Sequence, residues 1–191
     1  MRRIPAVAVS VVHFALAPGV VVGLVPWWLT GWRASEPMPY GWFLRATGLI
    51  LVVAGTAVLI HAFGRFVVEG LGTPAPVAPP ARLVVGGLYR YVRNPMYLAV
   101  VAAIVGQSLF LGRLGLLWYA AAVGGVLALF TRAYEEPSLR RRFGAQYDEY
   151  RRHVPGWWPR RRPWVPKPRS REPGLTNRHP FDRGADERGP W

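Results

Sequence analysis

The chain alternates long uncharged stretches with short basic ones. No Asp, Glu, Lys or Arg occurs from Ile4 to Trp32, from Ala46 to Gly64, from Asn94 to Gly112 or from Leu114 to Thr131. A helix needs roughly 20 mainly apolar residues to cross a hydrocarbon core of about 30 Å, so each run predicts a membrane span. Core helices of soluble proteins rarely stay free of charge for so long. The first run exceeds a secretory signal and lacks a small-residue cleavage site before Trp27 and Trp28, which predicts a retained span. Its Pro18-Gly19 pair predicts a kink, tolerable where neighbouring helices satisfy the freed carbonyl. Trp27, Trp28 and Trp32 close this run and Trp42 precedes the next, the pattern of an aromatic belt at one interface.

The third and fourth runs are separated by little more than Arg113, which predicts a tight antiparallel hairpin. With four spans, Arg2, Arg3, the middle-loop residues Arg65, Arg82, Arg90 and Arg93, and the basic tail share one side; the other receives Arg33, Arg45 and Arg113. Cations collect on the cytoplasmic side, so both termini and the middle loop are expected there. Past the fourth run, Leu139, Phe143, Tyr147, Tyr150 and Val154 recur at spacings of four and three, one stripe of a helix. Arg140, Arg141, Arg142, Arg151 and Arg152 occupy its other faces. That pattern predicts an interfacial amphipathic helix over 135–154, lying in the headgroup layer and drawn to anionic lipid. From Pro155 onward eight prolines fall in 37 residues with almost no aliphatics, so the tail beyond about Trp164 is expected to be disordered. The expected fold class is an all-α integral membrane protein with about four transmembrane helices, a C-terminal helical hairpin, an interfacial amphipathic helix and a disordered basic tail. Three segments follow: 1–68 with two spans, 69–159 with the loop, hairpin and amphipathic helix, and 160–191 as tail.

Composition narrows the chemistry. Hydrophobic residues make up 51% of the 191 and charged residues 18%, too apolar for a disordered chain. Lys+Arg number 24 against 10 acids, and Lys167 is the one lysine. The absence of cysteine excludes disulfides, thiol catalysis and cysteine-ligated metal, while the four histidines stand far apart at 13, 61, 153 and 179. The run Arg160-Arg161-Arg162 fits contact with anionic headgroups better than nucleic acid, because it needs no base readout.

Chemistry concentrates in two polar patches. The loop EGLGTPAPVAPPARLVVGGLYRYVRNPMY, from Glu69 to Tyr97, begins stiff and proline-rich. An extended piece is expected at Arg82-Leu83-Val84-Val85, and a turn at Gly86-Gly87. Asn94-Pro95 reads as the cap and first residue of the third span. The same atoms suit an anion: backbone N–H groups at a helix start, Arg93 beside them, and the aromatic faces of Tyr89, Tyr91 and Tyr97. The second patch is Glu135-Glu136-Pro137, just past the fourth run. These acids fit the start of the next helix equally as a dipole partner and as acceptors for a ribose diol. A hairpin would bring both patches to one face, where a ligand with a carboxylate, an adenine, a ribose and a positive charge would fit. His61, one turn before the end of the second run, is the acceptor-side candidate within a span, with a structural role as its alternative.

The run GLYRYVRNPMY, a two-span hairpin, and EEPSLRRRFGAQYDEYRRHVPGWWP together resemble the isoprenylcysteine carboxyl methyltransferase family. That family belongs to a wider group of integral-membrane methyltransferases that includes phospholipid N-methyltransferases. The resemblance covers roughly 70–159. It implies S-adenosyl-L-methionine as cofactor, held by Arg82, Leu83, Val84, Tyr89, Arg93, Asn94, Pro95, Met96, Tyr97, Glu135 and Glu136. It also places a substrate-side arginine near Arg132, one residue out of the family's register. Asn94 stands where the family has histidine, and so cannot change charge near neutral pH. The implied acceptor is lipophilic, a small molecule, lipid or prenylated substrate entering from the bilayer. A carboxylate is favoured, since no obvious buried base is present to deprotonate an amine. Alternatives are phospholipid N-methylation, a nicotinamide-dependent reductase of the sterol type, and a non-catalytic protein whose tail binds anionic lipid.

Overall fold

The computed structural model describes residues 18–35, 41–70 and 83–165. The first half of the first run, the proline-rich 71–82 stretch with Arg82, and the tail from 166 onward lie outside these residues. The described residues form helices and turns with no strand.

A π-helical turn at Gly19–Leu24 leads into α1 (Val25–Thr30). The irregularity expected at Pro18-Gly19 thus begins at Gly19 and runs to Pro26. Pro26 has no N–H to offer the carbonyls of Val21 and Val22, its fifth and fourth predecessors. Both find donors in other helices: Gln107 Nε2 reaches Val22 O at 2.7 Å and the Tyr119 hydroxyl reaches Val21 O at 2.9 Å. In an apolar bundle such carbonyls need partners, and these bonds pin the first helix to the hairpin.

Next come α2 (Gly41–Gly70), α3 (Pro95–Leu111) and α4 (Gly115–Phe130). A π-helical turn, Thr131–Glu135, continues α4 into α5 (Glu136–Phe143), and α6 (Ala145–His153) follows. Two stretches, Gly41–Ala62 and the continuous Gly115–Phe143, are long and apolar enough to cross a membrane; Gly19–Thr30 and Pro95–Leu111 are shorter apolar helices. Ile50, Ile60, Val126 and Leu129 are each about two-thirds exposed, an outward apolar surface that water does not favour.

Helices α2 and α3 make the most extensive contact in the fold, and small residues permit it. A Cβ on Gly48 would lie 2.5 Å from Phe110 N and 2.6 Å from Gly106 O; one on Gly106 would meet Gly48 O at 2.7 Å. About two helical turns further on the same face, a Cβ on Gly55 would lie 2.9 Å from Ala99 O. Helix α3 also buries Val100, Ile104 and Leu111 against Leu116 and Ala120 of α4.

The predicted α3–α4 hairpin is present. Gly112, at φ 67°, ends α3 in the left-handed region and α4 starts three residues later. Ser35 closes this end, its N–H on Leu111 O at 2.9 Å and its hydroxyl on Gly112 O at 2.8 Å. Trp27, Trp28, Trp32 and Trp42 are all at least half exposed, and Trp118 near the start of α4 joins them.

The amphipathic segment departs from expectation in two ways. Gly144, at φ 50°, divides it into α5 and α6. Its stripe also does not face lipid: Tyr147, Tyr150 and Val154 are buried and packed by Leu83, Val85, Leu139, Phe143 and Trp164. Periodicity reports that a face is covered, not by what. Residues 160–165, which the sequence groups with the tail, are likewise bonded into the fold: Arg160 N donates to Tyr91 O and Trp164 N to Arg90 O, each at 3.0 Å.

Gly48→Leu is expected to force α2 from α3 and abolish a folded, monodisperse species in detergent, read by size exclusion and thermal unfolding. Gly124→Ala is the contrast, since its Cβ would meet only Val101 Cγ2 at an ordinary 3.6 Å. It should leave the unfolding midpoint unchanged or raise it, alanine being about 1 kcal/mol better than glycine within a helix. Equal tolerance of both changes would refute the close-approach account.

Candidate functional site

The feet of the α3–α4 hairpin meet. The Tyr97 hydroxyl, in the first turn of α3, donates to Glu135 Oε2 at 2.9 Å, across 38 residues of sequence. One residue on, Glu136 Oε1 accepts from Arg93 Nη1 at 2.6 Å. The adjacent acids are thereby pulled to different partners, Glu135 to an aromatic hydroxyl and Glu136 to a cation. The π-helical turn that ends at Glu135 sets their phase, and such turns recur at functional sites.

The loop beneath is held on two sides. Residues 83–85 are extended, so neighbouring side chains point oppositely. Leu83 and Val85 enter the Tyr147–Tyr150–Val154 cluster, while Val84 packs with Ala62 and Tyr89, and Met96 lies against them. A short 3₁₀ turn, Gly87–Arg90, then buries Tyr89. Gly87, at φ 56°, is required twice over: a Cβ there would also lie 2.9 Å from Arg65 Nε and 3.1 Å from His61 Nε2. The end of α2 thus bears directly on the loop.

The 154–164 strap closes the other side. Arg93 N donates to Pro155 O at 2.9 Å and Asn94 N to Gly156 O at 3.3 Å. Arg93 Nε donates to Val154 O at 3.0 Å and its Nη1 also reaches the Tyr147 hydroxyl at 3.1 Å. Asn94 does not cap its own helix with its side chain; Nδ2 donates to Gly156 O at 3.2 Å instead. The Tyr150 hydroxyl donates to Tyr89 O at 2.7 Å, and Trp157 stacks on Tyr97 with ring centroids 6.5 Å apart.

The expected site residues therefore divide. Tyr89, Met96, Tyr97 and Glu135 gather at the hairpin foot, and the Tyr89 and Tyr97 phenols are near enough to interact electrostatically. Arg93, Asn94 and Glu136 gather there too, with their polar atoms turned to the strap and to one another. Pro95 is the buried first residue of α3. The side chains of Leu83 and Val84 are used in packing. Arg132 lies exposed on the π-helical turn, and no hydrogen bond or ion pair among the described residues joins it to Tyr97 or Glu135. Arg82 lies outside the described residues. Trp157, Gly156, Tyr147 and Tyr150 are site-building groups that periodicity does not reveal; the GWWP at 156–159 held the one signal for the first two. Chemically, one carboxylate beside two tyrosines and a tryptophan offers an acceptor and aromatic faces, a donor set that fits a nucleoside bearing positive charge.

Tyr150 supplies a test of the strap. Burial pushes its phenol up from the ordinary value; the Arg93 charge opposes this and Tyr147 adds to it. The native state therefore holds this proton more tightly than the unfolded chain. Its contribution is complete below the unfolded value of about 10 and is lost progressively as pH rises above it. Tyr150→Phe leaves the Tyr89 carbonyl without its donor and should cost about 1–3 kcal/mol at neutral pH. Thermal melts should show that loss together with a smaller alkaline decline than the wild type has. A variant as stable as the wild type, with the same alkaline decline, would remove Tyr150 from this role.

A search of curated proteins finds no match. The family model for phospholipid methyltransferase matches residues 38–146. That span runs from the start of α2, through the glycine contact, the loop, the hairpin and the acid pair, into α6. It covers more than half of the chain and holds both patches that meet at the hairpin foot, so the protein belongs to the phospholipid methyltransferase family of membrane methyltransferases.

Proposed function

We propose that the protein is an S-adenosyl-L-methionine-dependent methyltransferase whose acceptor is lipophilic and arrives through the bilayer. The carrying observation is the 2.9 Å Tyr97–Glu135 bond, which joins two motifs far apart in sequence into one patch. In this reading the carboxylate of Glu135 accepts from the ribose diol and Tyr97, Trp157 and Tyr89 supply aromatic surface, with the backbone of 83–84 and 94–97 completing the site. When bound, the cofactor supplies a methyl group on a sulfonium, which leaves as a neutral thioether. The protein's task is then to align the acceptor, exclude water and withhold competing nucleophiles. We read four spans, with α3 and the first helix crossing beside the two longer stretches, and both termini and the site at the cytoplasmic face. The arginines around the hairpin foot support that orientation.

A carboxylate acceptor fits the site best, because it arrives ionised and asks for no base. The Glu135 carboxylate, the nearest acid–base group, is already engaged by Tyr97. A second reading, N-methylation of an amine headgroup, rests on the family match and on His61. Its Nε2 lies against Gly87, at the loop that carries Tyr89, within reach of a group that needs a base.

Calorimetric titration of detergent-purified protein should give binding of S-adenosylhomocysteine and none of NADPH. Glu135→Ala should weaken the former about tenfold, the loss of one hydrogen bond to a charged group. Binding of the nicotinamide instead would sink the proposal. Labelled-methyl transfer to farnesylated cysteine and to phosphatidylethanolamine separates the two acceptors. His61→Ala should leave the first reaction intact; if the amine is the acceptor, it should lower kcat.

A further inference from the structure

Beyond the hairpin foot, the bend at Gly144 builds a second polar feature. The C-terminal turn of α5 and the whole of α6 enclose an open cleft of about 620 Å³ lined by Arg140, Ala145, Asp148, Arg151 and Arg152. Three arginines from two helices line it together with one carboxylate, which pairs with Arg140. Arg140 pairs with Asp148 at 3.0 Å, and Arg152 Nε donates to the Asp148 carbonyl at 3.3 Å. Arg151 leans the other way, its Nη2 3.5 Å from Glu136 Oε2. One carboxylate stands among three guanidinium groups, so the cleft keeps an excess of positive charge.

Its depth in the bilayer identifies what that charge meets. The continuous helix Gly115–Phe143 has 29 residues. At 1.5 Å per residue it is about 43 Å long, against about 40–45 Å for a bilayer including its headgroups. One end lies beside the exposed Trp118. The other end, at Arg140–Phe143, then falls at the level of the opposite headgroups, and α6 follows it directly after Gly144. Trp158, 82% exposed on the strap, gives the same level an interfacial anchor. Guanidinium forks match phosphate oxygens in geometry as well as in charge.

We propose that the α5–α6 cleft is a binding site for the headgroup phosphate of an anionic lipid, separate from the methyl-transfer site and joined to it by the chain Arg151–Glu136–Arg93. The bend at Gly144 makes the site, since a straight helix would carry Arg140 and Arg152 along different faces.

The test uses the full-length protein in detergent and counts lipid adducts by native mass spectrometry, a readout that does not depend on methyl transfer. The wild type should retain phosphatidylglycerol about tenfold better than phosphatidylcholine or than an Arg140→Gln/Arg152→Gln double variant, the effect expected for two surface arginines with partial screening. Arg33→Gln, at the other end of the bundle, should behave as wild type. Asp148→Asn should raise retention about twofold by removing the cleft's one carboxylate, a gain that misfolding cannot imitate. Unchanged retention in the double variant together with no gain in Asp148→Asn would overturn the site. Displacement of the lipid by inorganic phosphate at equal concentration would overturn the lipid assignment in favour of a soluble phosphate.

Discussion

Arg93 stands one residue before the helix cap, and its guanidinium reaches a carboxylate, a phenol and a backbone carbonyl, all supplied by sequence at least 43 residues away. Arg93 and Glu136 have side chains only 14% and 17% exposed, so each charge depends on the other for its solvation. Loop, hairpin foot and strap are thereby committed to one arrangement. The strap is poor in aliphatic residues and has no core of its own. What holds it is backbone pairing with Arg90, Tyr91, Arg93 and Asn94, with Arg93 as the knot.

Below that knot the constraint is geometric. Helix α2 approaches α3 so closely at Gly48, Gly55 and Gly106 that backbone meets backbone. Lipid offers little hydrophobic drive for helix association, so fit and dispersion carry the contact. Its rigidity reaches the site through the end of α2, where His61 and Arg65 lie over Gly87 and Ala62 packs on Val84 and Tyr89. The loop at 83–94 is therefore seated on the end of a long apolar helix, not draped over its surface.

The sequence made the frame legible because missing charge is a strong signal. Uncharged runs of eighteen residues or more, and a single arginine between two of them, leave few ways to arrange the hairpin. The meeting of Tyr97 and Glu135 follows from that topology. What stayed hidden were partners. Arg93 reads equally as an anion ligand or a strut, and composition does not choose. Asn94 has the form of a cap, yet its side chain answers Gly156, a residue whose position only the strap reveals. The stripe of Tyr147, Tyr150 and Val154 looks like a lipid-facing surface because burial against protein and burial in headgroups leave the same periodicity. Of the neighbouring Trp157 and Trp158, one stacks on the site and the other is largely exposed, a difference that no local pattern encodes.

The π-helical turn at Thr131–Glu135 has a consequence for comparing this chain with its relatives. Such a turn is how a helix absorbs one surplus residue without breaking, and everything on one side of it is offset by about 100° from an ideal continuation. Arg132, which falls one place away from the arginine of the resembling enzymes, sits inside that turn, while Glu135 closes it. A relative lacking such a turn would correspond residue for residue on one side of it only. The bulge acts as a vernier between the membrane stem and the polar face. It lets the stem lengthen by a single position while the carboxylates keep their bearing.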